Sequence, residues 1–320
     1  MPKVVVTRKI ADAAIDLLRP TCEVVVGPDE KAWSRAEYLD AVRGCEGLLP
    51  VGHTKVDAEI MDAAPGLRVI ANFGVGVDHI DLEAATKRNI WVSNTAGSLT
   101  ETTAELGWAL LLATVRRIAE GDRFVRDGKW KGFGPFFFLG TELPGKTLGI
   151  VGGGRIGQAV AKRAPPFGMK VLYWSRSPRP EFDPTAYREL DALLRESDVV
   201  IVTVSLAPET HHLIGERQLA LMKKSAHLVN IARGPIVDEP ALARALLEGR
   251  LAGAGLDVYE NEPEVHPDLL RCPKAVLVPH IGSATIETRT RMGRIAAENL
   301  LAGLQGRVPP LALNAKEVRR

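Results

Sequence analysis

Short runs of β-branched and apolar residues alternate with longer amphipathic stretches through the first hundred residues of the chain. Short apolar runs between turn residues are typical of strands buried on both faces, and the stretches between them have helical spacing. The strands predicted in this first series are Lys3–Thr7, Cys22–Gly27, Gly47–Val51, Arg68–Phe73 and Ile90–Asn94. Strand–helix alternation of this kind predicts a parallel sheet that helices cover on both faces.

A long helix is predicted to interrupt the alternation. Ser98 and Glu101 have the spacing of a capping box, and apolar residues recur with helical periodicity from Ala104 to Ile118. The alternation then resumes as a second series of six predicted strands, Thr147–Val151, Lys170–Ser175, Val199–Val204, His227–Ile231, Gly253–Val258 and Ala275–Pro279. The second series is enough for a complete second sheet.

A last helix is predicted from about Thr285 to Gly303, with Glu287 and Arg291 four residues apart on one face. We interpret it as a return of the chain to the first domain. The expected fold is α/β, with two doubly wound parallel-sheet domains. The first domain is predicted to be discontinuous, over residues 1–99 and 286–320, with the second domain at 100–285.

The segment from Gly121 to Lys146 holds five of the eight phenylalanines of the chain. Gly132, Gly134 and Pro135 argue against a strand, so the segment is predicted to be an aromatic loop from Phe124 to Phe138. Several phenylalanines are rarely left in water. The loop therefore either folds over its own core or lies at a subunit interface, and composition favours neither.

Composition and charge exclude several classes of partner. The chain has 320 residues, 46% of them hydrophobic, which is enough for sizeable cores. Its 41 Lys and Arg against 39 Asp and Glu give a net charge of +2, so no field of one sign would collect nucleic acid or an acidic membrane. The longest apolar run is about half the length of a membrane span. Three cysteines without C-x-x-C spacing favour a reducing compartment, and we expect a cytoplasmic protein.

The predicted strand Thr147–Val151 runs directly into a Gly-x-Gly-x-x-Gly turn that opens a helix. Gly152 would permit the tight turn, Gly154 would let the backbone approach a pyrophosphate, and Gly157 would let the helix pack on the strand. The helix N-terminus would add unpaired N–H groups. A plain glycine-rich turn is the alternative, but the strand, turn, helix and following strand together indicate a dinucleotide site.

The next strand should end in an Asp or Glu if the ribose of NAD is to be bound. Ser175 stands there, followed by Arg176, Ser177 and Arg179, so the loop offers positive charge in place of a carboxylate. This loop is predicted to bind the cofactor and to favour NADP. A solvated loop with ordinary surface arginines is the alternative.

Three polar residues follow later predicted strands: Arg233, Glu262 and His280. Each alone is commonly a structural or surface residue. Beside a dinucleotide site they suit the reduction of a 2-oxo acid. That reaction needs a cation for the carboxylate, a proton donor for the carbonyl oxygen and a group that keeps the donor charged.

Several segments, in this order, resemble the D-isomer-specific 2-hydroxyacid dehydrogenase family. They are Asn72–Asp81, Leu99–Leu112, Gly152–Gly157, Asn230–Leu242, Ala252–Pro263 and Pro279–Thr285. The likeness covers nearly the whole chain. It implies that residues 1–99 and 286–320 form a flavodoxin-like substrate-binding domain and that residues 100–285 form a Rossmann domain for NAD(P). It is closest to the glyoxylate/hydroxypyruvate reductase branch, mainly through the Phe-rich loop and Tyr173–Pro180.

The resemblance implies a role for each matching residue. Arg233 would bind the substrate carboxylate, His280 would be the acid/base, and Glu262 would bond that imidazole and favour its charged form. The backbone amides of Val75 and Gly76 would hold the carboxylate. The residues that match cofactor contacts are Thr103, Arg155, Ile156, Ser205, Ile231, Asp257 and Gly282, with Asp257 near the nicotinamide carboxamide.

The resemblance also implies a reaction and an assembly. Glyoxylate or hydroxypyruvate would be reduced to glycolate or D-glycerate in a cleft between the domains, with NADPH preferred and NAD possible. A homodimer is expected, in which Phe133 matches an aromatic residue that reaches the neighbour's substrate pocket. We expect no metal, nucleic acid or membrane partner. The alternatives are a 2-ketogluconate reductase, a 3-phosphoglycerate dehydrogenase or another D-2-hydroxyacid dehydrogenase and, more remotely, a nucleotide-dependent corepressor-like binding protein.

Overall fold

The computed structural model describes residues 1–29 and 31–318. They form two compact units by contact: Met1–Leu99 together with the segment from Ser283 onwards, and Thr100–Gly282. Arg319 and Arg320, the last two residues of the predicted substrate domain, lie outside the described residues.

The first unit is built on a five-stranded sheet in which every neighbouring pair is parallel. Its strands are β1 (Lys3–Val6), β2 (Glu23–Val26), β3 (Gly47–Leu49), β4 (Val69–Ala71) and β5 (Trp91–Ser93). The helices that connect them are α1 (Asp12–Leu18), α2 (Arg35–Ala41), α3 (Ala58–Ala63) and α4 (Leu82–Lys87). The spatial order β2-β1-β3-β4-β5 is the flavodoxin-like order.

Strand β1 shows why these strands are continuous apolar runs. Val4 and Val6 pack in one buried cluster with Ile15 of α1, whereas Val5 packs with Ile60 of α3 in a separate cluster. Successive side chains of a strand point to opposite faces, so a strand that is covered on both faces needs apolar residues at every position.

The second unit is built on a six-stranded parallel sheet. Its strands are β6 (Thr147–Val151), β7 (Lys170–Trp174), β8 (Val199–Val202), β9 (His227–Asn230), β10 (Gly253–Leu256) and β11 (Ala275–Leu277). Its helices are α5 (Thr100–Val115), α6 (Ile118–Arg126), α7 (Arg155–Lys162), α8 (Leu190–Glu196), α9 (Glu216–Leu221), α10 (Glu239–Leu247) and α11 (Pro267–Arg271). The order is β11-β10-β9-β8-β6-β7, so the direction of winding reverses at β6. Open α/β sheets bind ligands outside the carboxyl ends of the strands at such a reversal.

The last helix, α12 (Ile286–Leu304), belongs to the first unit and packs against α1, β3 and β4. Its glycines permit the close approach, because a Cβ at Gly303 would lie 2.6 Å from the Val69 side chain. The sequence places Arg291 four residues after Glu287 on one face of the helix. In the structure the Arg291 guanidinium donates to the Ser98 carbonyl at 2.8 Å.

The prediction of two doubly wound parallel sheets is confirmed, and the structure corrects two local predictions. Helix α5 begins at Thr100, and the Ser98 hydroxyl donates to the Thr95 carbonyl at 2.6 Å, so the predicted capping box with Glu101 is wrong. Phe124, predicted in a loop, lies within α6. No helix in the described part of the chain is long and apolar enough to cross a membrane.

Candidate functional site

The turn after β6 leaves an open space beside the first residues of α7. Gly152 has a φ of 124°, which glycine adopts readily and other residues rarely do. A Cβ at Gly157 would lie 1.9 Å from the Gly152 carbonyl oxygen, so only glycine lets α7 approach the strand. A Cβ at Gly154, the N-cap of α7, would meet nothing within 4 Å.

Arg155 and Ile156, which are predicted to contact the cofactor, are the first two residues of α7. Backbone N–H groups at this point of a helix have no partner within the helix, and the helix dipole favours an anion beside them. Arg155 is exposed, whereas Ile156 packs against the buried cluster that contains α5. The turn and the helix start can therefore accept a phosphate group through backbone donors.

The loop after β7 folds back over this turn. Ser175 is buried, and its hydroxyl donates to the Ser177 carbonyl at 2.5 Å. The Arg179 side chain lies over the turn, since its Cγ would be 2.9 Å from a Cβ at Gly153. Arg176 is exposed. The loop therefore carries two arginines and no carboxylate from Ser175 to Arg179.

Asp257 directly follows β10 and is 1% exposed. Its two carboxylate oxygens accept the amide hydrogens of Ile281 at 2.6 Å and Gly282 at 2.9 Å. Burial raises the pKa of Asp257, while these amides and the charge of His280 oppose the rise. Asp257 therefore fixes the turn that follows His280. This structural role comes in addition to its predicted role near the nicotinamide.

The other predicted cofactor residues lie around the same ends of the strands. The Thr103 hydroxyl on α5 donates to the Gly282 carbonyl at 3.1 Å. Ile231 directly follows β9 and is buried against α5, where a Cβ at Gly107 would lie 2.8 Å from its Cδ1. Ser205 lies beyond the end of β8 and is exposed.

Glu262 and His280 form an ion pair or hydrogen bond, since Glu262 Oε2 lies 2.8 Å from His280 Nδ1. The other carboxylate oxygen of Glu262 accepts the backbone amide of Tyr259 at 3.0 Å. His280 has a φ of 52°, a left-handed conformation that is uncommon for residues other than glycine. Such conformations persist where the surroundings enforce them, often at active sites. Here the His280 amide donates to the Asp257 carbonyl at 2.9 Å.

Arg233 lies in the loop after β9, which is the neighbour of β10 in the sheet. Its guanidinium donates to the Ala232 carbonyl at 2.8 Å, and its own carbonyl accepts from the Asn230 side chain at 2.9 Å. A Cβ at Gly234 would lie 1.8 Å from the Tyr259 carbonyl carbon. The loop that carries Arg233 therefore packs directly on the backbone that leads to Glu262.

Sequence reasoning missed three residues that surround the Glu262 loop. Glu239, the first residue of α10, is 5% exposed, and its carboxylate accepts the Glu260 amide at 2.6 Å. The Glu260 carboxylate accepts the Glu239 amide at 3.0 Å and lies 2.8 Å from His212 Nε2. A Glu in the first turn of a helix is usually explained by the helix dipole. No spacing in the sequence signals that its side chain turns toward another loop.

Val75 and Gly76 lie in the loop after β4 of the first unit. The Asn94 side chain donates to the Val75 carbonyl at 2.9 Å, and that of Asn72 donates to the Gly76 carbonyl at 2.8 Å. Within residues 1–29 and 31–318, no hydrogen bond uses the amide N–H of Val75 or Gly76. These two amides can therefore serve a ligand.

Part of the aromatic segment packs on itself and part of it stays exposed. The rings of Phe124, Phe137 and Phe138 contact one another edge to face, with centroids 4.6 to 5.4 Å apart. Phe133 is 93% exposed and Phe136 is 86% exposed. The segment thus leaves several large apolar side chains in water within one unit, Phe133 and Phe136 most of all.

The family model for the NAD binding domain of D-isomer specific 2-hydroxyacid dehydrogenases matches residues 108–282. The chain is also similar to the glyoxylate reductase of Thermococcus kodakarensis, at 50% identity over 325 residues, which covers 99% of this chain and 98% of the relative.

Two solved structures show the same fold. One, from Thermus thermophilus, has a TM-score of 0.92 and 50% identity, and the match covers 97% of this chain and 99% of the other. The second is an NADPH-dependent glyoxylate/hydroxypyruvate reductase from Sinorhizobium meliloti in complex with NADP and malonate. It has a TM-score of 0.88 and 34% identity, and the match covers 100% of this chain and 98% of the other.

Proposed function

The chain belongs to the D-isomer specific 2-hydroxyacid dehydrogenase family, and from that premise we propose that it reduces glyoxylate and hydroxypyruvate to glycolate and D-glycerate. The observation that carries the proposal is the pair of Glu262 and His280, 2.8 Å apart, beside the turn that Asp257 fixes. An imidazole held by a carboxylate is a proton donor suited to a carbonyl oxygen. The full-length likeness to glyoxylate reductases supports the choice of substrate.

The proposed reaction adds a hydride to the carbon and a proton to the oxygen of one carbonyl group. Bound NADPH supplies the hydride for the carbonyl carbon. His280 donates a proton from Nε2 to the carbonyl oxygen, and Glu262, bonded to Nδ1, stabilises the imidazolium before the transfer. Afterwards the neutral ring keeps its Nδ1–H toward Glu262, so the tautomer is ready to accept the proton in the reverse oxidation.

Arg233 is the proposed partner of the substrate carboxylate, because a guanidinium fork can bind a carboxylate through two parallel hydrogen bonds. The amides of Val75 and Gly76 are proposed as further carboxylate donors. Their freedom from other hydrogen bonds within the described ranges supports this role.

The residues around the glycine turn fit a dinucleotide. Gly152 and Gly157 shape a close strand-to-helix turn, and the open space at Gly154 gives a phosphate access to the start of α7. We propose that NADP is preferred over NAD. A carboxylate that would repel the extra phosphate is missing at Ser175, and Arg176 and Arg179 supply positive charge in the same loop.

We also propose a homodimer formed through the aromatic segment. Phe133 and Phe136 together place a large apolar surface in water, and such surfaces normally mark association. The three cysteines are buried and unpaired, which supports a reducing, cytoplasmic setting.

The test follows the absorbance of NADPH and of NADH separately with glyoxylate, hydroxypyruvate, pyruvate, 2-ketogluconate and 3-phosphohydroxypyruvate. We expect the highest kcat/KM with glyoxylate or hydroxypyruvate and NADPH. A higher kcat/KM with 2-ketogluconate would assign the chain to another branch. The absence of turnover with every oxo acid would contradict the proposal and favour a nucleotide-dependent binding protein.

A further inference from the structure

The start of α10 and the loop after β10 hold each other through a reciprocal pair of hydrogen bonds. The Glu239 carboxylate accepts the Glu260 amide at 2.6 Å, and the Glu260 carboxylate accepts the Glu239 amide at 3.0 Å. Each residue therefore gives a backbone donor to the side chain of the other. This arrangement fixes the position of residue 260 against a helix end.

The backbone group that the Glu239 carboxylate binds lies two residues before Glu262, at Glu260, so the start of the Glu262 loop depends on this side chain. The amide of His266, on the other side of the loop, also favours the charged form of Glu239 and lowers its pKa. Within the loop, the Glu264 amide donates to the Asn261 carbonyl at 2.9 Å, which makes the connection compact.

The loop is tied to His280 as well as to α10. The Tyr259 amide donates to Glu262 at 3.0 Å, and the Tyr259 hydroxyl donates to the Val278 carbonyl at 3.0 Å, two residues before His280. A shift of the loop would therefore move the Glu262 carboxylate relative to the imidazole that it bonds.

The burial of Glu239 has a cost in desolvation that only specific contacts can offset. Burial raises the pKa of Glu239, the Glu260 charge raises it further, and the amides of Glu260 and His266 oppose both effects. His212 lies on the other side of Glu260, with Nε2 at 2.8 Å from the carboxylate, and Asp238 lies 4.0 Å from His212 Nδ1. An apolar residue at position 239 would avoid the desolvation but would leave the Glu260 amide without this acceptor.

We propose that Glu239 is a positioning residue for the reaction, which acts by holding the Glu262 carboxylate against His280. This inference rests on the proposed function. Glu239 binds the backbone two residues before Glu262, so its effect on the chemistry passes through Glu262.

The experiment is a double-mutant cycle of Glu239→Ala and Glu262→Gln, with kcat and KM measured across pH. We expect Glu239→Ala to lower kcat about tenfold, within the range of coupling between neighbouring residues, with KM for the oxo acid little changed. The alkaline limit of kcat for Glu239→Ala should move to lower pH, toward that of Glu262→Gln. In the Glu262→Gln background, Glu239→Ala should change kcat less than about twofold, because the group it positions is already lost.

Glu248→Ala is the matched control, because Glu248 lies at the other end of α10, is exposed and pairs with Arg250. It should leave kcat and the pH profile unchanged. Glu239→Gln keeps an acceptor oxygen for the Glu260 amide but loses the negative charge, so an intermediate effect is expected. The glutamine variant decides the question if the alanine variant does not fold.

Additive effects in the cycle would overturn the proposal, as would an unchanged pH profile accompanied only by lower stability. The pH titration of the His280 ring signals by NMR gives a readout that needs no turnover. Its midpoint should fall in Glu239→Ala, and an unchanged midpoint would refute positioning. If the unmutated protein reduced no 2-oxo acid, the proposed function would fail, while the NMR titration would still decide the role of Glu239.

Discussion

Replacing the buried His227 imidazole by leucine should remove a pH-dependent part of the free energy of unfolding. His227 is the first residue of β9 and is 4% exposed, and its Nδ1 makes no hydrogen bond to the described part of the chain. Burial lowers the pKa of His227 from 6.5 to about 4. The folded protein therefore keeps the ring neutral at pH values where the unfolded chain binds a proton.

The sign and size of the effect follow from these two pKa values. Protons bind preferentially to the unfolded chain between pH 6.5 and about 4, so stability is complete above this window and falls as the pH is lowered through it. A pKa difference of about 2.5 corresponds to about 3 kcal/mol in total. At about pH 5, roughly 2 kcal/mol of it should already be lost.

The assay is urea unfolding of the unmutated protein and of His227→Leu at about pH 7.5 and about pH 5, followed by circular dichroism. Carboxylates titrate in both proteins, so their contribution cancels in the comparison. Between about pH 7.5 and about pH 5, the free energy of unfolding should fall by about 2 kcal/mol more for the unmutated protein than for the variant. His211→Leu is the control, since His211 is exposed and its replacement should leave the pH dependence unchanged. Equal pH dependence in the unmutated protein and His227→Leu would refute the reasoning.

Three further predictions concern the proposed reaction, its cofactor and the assembly. His280→Ala should lower turnover about a hundred to ten thousandfold, the usual contribution of a general acid, and Glu262→Gln should move the alkaline limit of reduction to lower pH. Arg176→Ala should weaken NADPH binding about tenfold and leave NADH little changed, because it removes one charge-assisted contact to the extra phosphate. Replacing Phe133 and Phe136 together by serine should shift a dimeric sedimentation mass toward the monomer at micromolar concentration, because it removes the exposed apolar surface.

The controls and contrary outcomes are specific to each of these tests. Near-normal activity of His280→Ala would exclude it as the proton donor. Arg195→Ala is the control for Arg176→Ala. It removes an exposed arginine on α8 and should leave the binding of both NADPH and NADH unchanged. A higher kcat/KM of the unmutated protein with NADH at low ionic strength would contradict the NADP preference, which added salt should weaken. A monomeric mass before any substitution would contradict the dimer.

The strands could be predicted because burial on both faces leaves a direct signature in the sequence. Val4 to Val6 are all buried, and the predicted strand ends differ from the observed ends by at most two residues. Helix α6 carries no such signature. None of its residues is buried, and the preceding Arg117 donates to Glu120 in its first turn at 2.8 Å. Ile118 and Val125 lie seven residues apart on one face of this helix, but both are 56% exposed, so their spacing does not mark a buried element.

The residues of the proposed site also fall into two groups, those that the sequence could predict and those that it could not. Arg233, Glu262 and His280 could be singled out because polar residues that follow buried strands stand out, and because their motifs resemble a family. Glu239 could not be found, since its role depends on a tertiary contact between the start of α10 and a loop about twenty residues further along the chain. The burial of His227 could not be predicted either, because a histidine at a strand start is usually exposed or hydrogen-bonded.

The discontinuity of the first unit has a consequence for synthesis. The chain leaves this unit at Leu99 and re-enters it at Ser283, so a ribosome completes all six strands of the second sheet before it makes α12. Until α12 emerges, the face of the nascent first sheet that includes Val69 lacks the helix that packs on it. Domains generally fold as units during synthesis, and exposed apolar surface attracts chaperones or other chains. A released chain that ends between residues 282 and 286 should therefore have a second unit that can fold and a first unit that remains prone to aggregation.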